Sequence, residues 1–349
     1  MRNGIVFLDR NENQYGPAPL CFKVLRNISN DALNSYSRDF TRGVKSILTE
    51  RLAKDTGVAE KNIILGYGSE DILKQAVQCY LGSGSKILIP SKSWWYYKKI
   101  AEESGGANVE YPVVENGNEF SCDIVKLLEI YHEHKPGILL ISSPNNPTGN
   151  RMEIEQLNFI LENTRDGVVV LDEAYSQFDP DYKVNPAEFI EKFPHLIIIR
   201  TFSKYYGLAG LRIGYAFVGS KHENLKLLGA RYLGFNRLSE KVAIAALDSP
   251  EYYRRTQKLM VDDREMFFRE FNKLPGFTAY RSYANFILIK IPAEIKEELN
   301  QYLTERNIII KFMNENGLNS HIRITIGTRA QNLKLIKAVK SFIEETSRS

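Results

Sequence analysis

The stretch "LIIIRTFSKYYGLAGLRIGY" runs from Leu196 to Tyr215. It opens with four apolar residues closed by Arg200. A polar turn with Ser203, Lys204, Gly207 and Gly210 follows, then Arg212, then a second apolar segment from Gly214. A short unbroken apolar run bounded by turn signals predicts a strand buried on both faces. Such strands belong to mainly parallel sheets covered by helices. In that class ligands bind beside the carboxyl ends of the strands, which is where Lys204 falls. A lysine amine becomes a nucleophile when burial or a neighbouring cation lowers its pKa. Taken alone, a Ser-Lys pair at a strand end reads as a solvated charge, so the decision rests on the rest of the chain.

Working outward, the same pattern repeats. Strands are predicted at 62–65, 86–90, 138–142, 168–173, 196–200 and 214–219. Helices are predicted at 41–56, 70–81, 93–104 and 154–163, from apolar residues at helical spacing such as Ile72, Leu73, Ala76 and Val77. This alternation predicts an α/β fold, with a large domain whose mostly parallel sheet is covered by helices. The tail differs: a long charged helix at 252–271, strands at 284–291, 308–311 and 322–326, and a closing helix at 331–343 predict a smaller C-terminal α+β domain. The first thirty residues are polar and turn-rich and read as an arm without core elements. The expected division is 1–30, 31–245 and 246–349.

Composition narrows the function classes. The 349 residues are 43% hydrophobic and 25% charged, with a net charge of +4. That balance gives no argument for nucleic-acid or membrane partners. Three cysteines without a CxxC pair predict a reducing compartment and no disulfide framework. With no apolar N-terminal core and no spanning-length apolar run, the expected location is the cytoplasm.

Several motifs sit where strands end. Asp172 closes VVVL; a carboxylate there is costly without a partner, and a protonated pyridine nitrogen or a structural salt bridge would each serve. GYGSED (66–71) places free backbone N–H groups at a helix start, an anion cradle as well as a cap with Ser69. SPNNPTG (143–149) is a rigid turn able to aim an asparagine. SWWYY (93–97) offers a ring for packing or for stacking on a flat cofactor. Arg323 on a late apolar strand needs an anion, from a substrate or a structural partner. Asp172-Glu173 lacks the phosphate loop that a nucleotide hydrolase requires. His132 and His134 lie in a polar stretch that reads as solvated surface, and no metal site is expected.

In order and spacing these motifs resemble the fold-type I pyridoxal-phosphate (PLP) enzymes, and within them the histidinol-phosphate aminotransferase group. LDRNENQYGP (8–17), GYGSED, SPNNPTG, VVLDEAY (169–175), RTFSKYYGLAGLRIGY (200–215), YANFILIK (283–290) and IRITIGT (322–328) carry the resemblance, which spans essentially the whole chain. It implies that Lys204 forms the Schiff base with PLP and later moves the proton. It further implies that Asp172 pairs with the pyridinium nitrogen and that Asn146 and Tyr175 hold the ring hydroxyl oxygen. Trp95 would stack on the ring, and Ser69, Glu70, Ser203 and Arg212 would hold the phosphate. Tyr36 would reach the phosphate of a partner subunit, implying a homodimer with shared active sites, and Arg323 would bind the substrate carboxylate.

The implied activity is amino transfer between an amino acid donor and a keto acceptor, with a phosphorylated substrate. A PLP decarboxylase of an O-phospho-amino acid uses the same residues, and an inactive PLP-fold binding protein is a third reading. The chain departs from the group's pattern with SYSRD around Tyr36, with Lys311 where arginine is common, and in LGFNRLS (233–239), which lacks the usual proline. SYSRD loosens the match around Tyr36, while Lys311 and LGFNRLS bear on the substrate, not on the cofactor.

Overall fold

A computed structural model describes residues 4–43, 45–182, 184–231 and 233–346. The first and last three residues of the expected arm and C-terminal domain therefore lie outside the described residues. In chain order the strands are β1 (Val6–Leu8), β2 (Ile63–Gly66), β3 (Lys86–Pro90), β4 (Ala107–Tyr111), β5 (Val113–Asn116), β6 (Glu119–Cys122) and β7 (Ile138–Ser142). They continue with β8 (Val168–Asp172), β9 (Leu196–Thr201), β10 (Gly214–Val218), β11 (Thr278–Ala279), β12 (Phe286–Lys290), β13 (Ile308–Phe312) and β14 (His321–Thr325).

A 7-stranded sheet runs β2-β10-β9-β8-β7-β3-β4. Its strands from β9 to β4 are parallel, and β10 is antiparallel to both neighbours. Alternate residues of each strand enter different clusters. Leu139, Ile141, Val169, Leu171 and Ile198 pack on one face with Leu157 and Ile160 of the helix Ile154–Asn163. Leu140, Val170, Ile197 and Ile199 pack on the other with Ile72, Leu73 and Val77 of the helix Ser69–Tyr80. Two covered faces are the reason these strands read as continuous apolar runs. Each fully buried Ile or Leu contributes about 1.5–3 kcal/mol.

The second sheet is 5-stranded, in the order β1-β13-β14-β12-β11, with its own apolar cluster under the helices Pro250–Phe271 and Arg329–Thr346. Here the expectation for the first thirty residues fails. Val6–Leu8 pair in parallel with Ile308–Ile310, and Leu8 is fully buried. A strand of 3 residues is too short to show a period.

Other differences are local. The helix expected over 41–56 begins at Ile47, because Ser46 caps it by accepting from the Thr49 N–H (3.0 Å). His132 and His134 stand on a helix, Ile124–His134, capped by Asp123. The β5–β6 hairpin and the helices Pro186–Lys192, Glu223–Leu228 and Arg237–Leu247 are additional elements.

Candidate active site

The parallel strands end at one cavity of about 530 Å³, closed on its other side by the small sheet. Among its lining residues are Lys204, Asp172, Tyr175, Asn146, Ser69, Glu70, Ser203, Arg212, Trp95 and Arg323. Ten of the expected positions thus meet in space. Tyr36 does not line this cavity; its side chain is exposed at 73%.

Ser142 and Asp172 are register partners at the ends of β7 and β8. The Asp172 carboxylate is buried and each oxygen has one donor. The Ala174 N–H donates to Oδ1 (3.0 Å) and the Tyr97 hydroxyl to Oδ2 (2.8 Å). Burial pushes the carboxyl above the usual range; the Tyr97 and Ala174 bonds pull it back, and the Lys204 charge acts the same way. The next side chain, Glu173, turns away from the cavity and forms a buried ion pair with Arg200 Nε (2.6 Å), tying the ends of β8 and β9 together. A structural partner therefore serves Glu173, whereas Asp172 meets the cavity with no cation among the described residues in direct contact.

Lys204 follows β9 in the turn. Its Nζ donates to the Arg10 carbonyl (3.1 Å) and lies 5.7 Å from the centre of the Tyr175 ring. Tyr175 is held by Asn11, whose Nδ2 donates to its hydroxyl oxygen (3.0 Å). Asn11 is itself anchored to the small sheet through its N–H to Thr325 Oγ1 (2.9 Å).

An anion cradle forms where the helix Ser69–Tyr80 starts. Gly68, not Ser69, is the cap residue, at φ +84. A Cβ at Gly68 would stand 2.5 Å from Arg212 Nη2, so the glycine is what admits the guanidinium. Glu70 fits the cradle through its backbone. Its carboxylate faces Arg212 (3.8 Å) and Lys74 (3.4 Å), so its backbone N–H is what it offers an anion.

The SPNNPTG turn divides its two asparagines. Asn145 Nδ2 donates to the Lys92 carbonyl (2.7 Å) and to Thr148 Oγ1 (2.6 Å), locking the turn. Asn146 is left facing the cavity, where its Oδ1 accepts from Arg323 Nη1 (2.6 Å). Arg323 Nη2 donates to the Asp9 carbonyl (2.6 Å), while its buried Nε has no partner. Burial lowers the Arg323 pKa. Among the described residues no carboxylate forms an ion pair with it, although the charges of Glu315 and Asp9, which also line the cavity, act on it. Its register partner on β13 is Lys311, which also lines the cavity. Two like charges opposite one another destabilise a sheet unless an anion joins them.

Sequence reasoning missed Asn11, Tyr97 and Trp94. Trp94 is half-buried and its ring meets Tyr97 edge-on at 5.6 Å, whereas Trp95 is 57% exposed. Adjacent aromatic residues at a helix start left no signal to separate them; only the direction of chain entry into the helix Tyr96–Glu103 does so.

The donor set fits a flat phosphorylated aromatic cofactor: a cradle of N–H groups and Arg212 at one end, a buried carboxylate with lone pairs to spare at another, and an amine between. Comparison with known proteins agrees. A family model described as aminotransferase class I and II matches residues 4–339. Histidinol-phosphate aminotransferase from Caldanaerobacter subterraneus is 32% identical over 339 residues, covering 96% of this chain and 92% of the relative. The enzyme of the same name from Ruminiclostridium cellulolyticum is 33% identical over 332 residues, covering 94% and 90%. The structure of histidinol-phosphate aminotransferase from Sinorhizobium meliloti in complex with pyridoxal-5'-phosphate superposes with a TM-score of 0.87 at 24% identity, covering 98% of this chain and 91% of that one.

Proposed function

The chain belongs to the class I and II aminotransferase family, and from that premise we propose that it is a PLP-dependent aminotransferase acting on a phosphorylated amino compound of the histidinol-phosphate type. The observation that carries the reading is the meeting of Lys204, Asp172 and the Gly68–Arg212 cradle in one cavity at the strand ends. PLP, when bound, supplies an aldehyde for the amino group and a pyridine ring that draws electrons from the substrate Cα.

The residues divide the remaining work. Arg212, Ser203, Ser69 and the Glu70 N–H bind the cofactor phosphate. Asp172 keeps the ring nitrogen protonated, and its raised pKa makes the pairing cation part of what holds it ionised. Tyr175 and Asn146 take the ring hydroxyl oxygen. Trp95, and Trp94 beside it, line the cavity on the side of the ring face. Lys204 holds the cofactor and, as a free amine, moves a proton at the substrate Cα. Arg323 and Lys311 bind the substrate's anionic groups; two cations side by side suit a substrate with a phosphate, a carboxylate, or both in turn.

The homodimer is proposed on an exposed apolar face. Leu33, Tyr36, Tyr67 and Leu233 are each more than half exposed. The segments that carry them touch, since Tyr67 stacks on Phe235 (4.9 Å) and Arg237 donates to the Asp31 carbonyl (2.8 Å). Such faces mark interaction sites. Tyr67 adjoins the cradle, so a partner's copy of this face would bring its tyrosine to the phosphate. The division at 31–245 and 246–349 is proposed likewise, amended so that Val6–Leu8 belong with the small sheet. A cytoplasmic location is proposed too; no described helix is long and apolar enough to cross a membrane.

The test is a titration of the purified protein with PLP, followed by a screen of amino donors and keto acceptors. A visible absorption band that appears with PLP and responds to amino donors is the expected result. Absence of any band overturns the cofactor reading. Release of carbon dioxide from phospho-amino acids, without amino transfer, replaces the aminotransferase with a decarboxylase.

A further inference from the structure

Three consecutive strand ends of the large sheet contribute to one hydrogen-bonded chain. Asp172 closes β8, Ser142 closes β7 beside it, and Tyr97 stands at the start of the helix that follows β3. Tyr97 is 2% exposed. Its hydroxyl lies 2.8 Å from Asp172 Oδ2 and 3.3 Å from Ser142 Oγ. One O–H has one proton, and the bond to the ionised carboxylate is the stronger of the two. Tyr97 therefore donates to Asp172, with Ser142 Oγ as the weaker, competing acceptor.

We propose that Tyr97 is a positioning residue for the cofactor's ring nitrogen, acting through Asp172. This rests on the cofactor reading above. The Ala174 N–H fixes one carboxylate oxygen and Tyr97 the other, so the plane of the carboxylate is set from the sheet and from the helix at once. A carboxylate with a single donor would be free to turn about its Cβ–Cγ bond. The second function is to keep the group ionised in a dry site. The charged and titratable groups around Asp172 are Tyr97 from the helix, Glu173 on its own strand, Lys204 from the turn after β9, and Tyr175. Glu173 is neutralised by Arg200. Tyr97 is thus the side-chain donor in direct contact with the carboxylate. It is also a neutral one, and leaves the site's net charge to the cofactor.

Tyr97→Phe keeps the ring and removes the hydroxyl. In the apoprotein, carbon NMR of labelled aspartate reads the Asp172 carboxyl directly, the signal being assigned by its loss in Asp172→Asn. The expected result is an upward move of the midpoint, with about tenfold greater proton affinity. PLP dissociation constants should weaken by about tenfold on the acid side, with the gap closing as pH rises and the carboxyl ionises unaided. In the Asp172→Asn background Tyr97→Phe should change PLP affinity no further. An equal loss in that background shows a packing role and overturns the proposal, as does an unmoved Asp172 titration. Should Tyr97→Phe fold poorly, Ser142→Ala removes the competing acceptor and should lower the Asp172 midpoint by a smaller factor, and a rise or no movement there is equally fatal. Wild-type protein that fails to bind PLP overturns the proposed function and this inference with it. Wild-type binding with an unaffected Tyr97→Phe overturns this inference alone.

Discussion

The cavity has two unlike walls. One is made by the ends of β7, β8 and β9, whose side chains are pinned by bonds within the large sheet: Asp172 by Ala174 and Tyr97, Glu173 by Arg200, Asn145 by Lys92 and Thr148. The other is made by β13, β14 and the Asp9–Asn11 segment, where Arg323 and Lys311 lie side by side with no described carboxylate between them. The first wall has its charges matched or assigned to a cofactor. The second has cations whose nearby carboxylates, Asp9 and Glu315, act on Arg323 without forming an ion pair among the described residues. On the proposed function, chemistry falls to the matched wall and substrate choice to the unmatched one.

The comparison can be broken most severely at Lys204. Lys204→Ala should abolish detectable turnover while circular dichroism and thermal unfolding stay close to wild type; retained turnover would assign the proton transfer elsewhere. Asp172→Ala comes next, with an expected loss in kcat of about 10²–10⁴-fold. Near-normal rates would remove the ring-nitrogen role. On the opposite wall the effect should move to KM. Arg323→Gln should raise KM for carboxylate-bearing substrates by about 10–100-fold with less change in kcat, since a hydrogen bond to a charged group is worth about 1.5–3 kcal/mol. The smallest effect is expected of Lys311→Gln, about tenfold or less in kcat/KM, and confined to phosphorylated substrates. An equal loss for substrates with and without phosphate would mean that Lys311 acts on the wall's electrostatics in general. Equal kcat losses from changes on both walls would erase the distinction altogether.

Stability offers an independent probe away from the cavity. His195, His222 and His321 are buried, and burial holds each at about 4, below the usual histidine value. The unfolded chain binds protons there more readily. The stabilisation is therefore full above about pH 6.5 and is lost as pH falls towards the folded-state values. The denaturant midpoint should decline across that window, and His222→Gln should flatten part of the decline.

The matched wall was also the legible one. Strands buried on both faces announce themselves as Leu139–Ile141 or Ile197–Ile199, and the polar residue that follows is conspicuous by contrast. Asp172, Lys204 and the GYGSED cradle were readable on that ground, given the resemblance that ordered them. The unmatched wall was readable only through Arg323 and Lys311. Leu8 and Asn11 sit in a polar stretch whose strand is too short for a pattern, and their role depends on β13, some three hundred residues away. Tyr97 was hidden for a different reason: in SWWYY every ring suits a core, and only the direction of one hydroxyl separates it.

The parallel pairing of Val6–Leu8 with Ile308–Ile310 has a consequence for synthesis. The small sheet is assembled from both ends of the chain, with the entire large sheet inserted between them. As the chain emerges, the large sheet has all its strands by Val218, but β1 must wait for β13. The Asp9–Asn11 wall, and with it the second half of the cavity, closes last. A nascent chain can therefore own a folded scaffold without owning a working pocket, and chains shortened before residue 308 should leave their first strand without a neighbour.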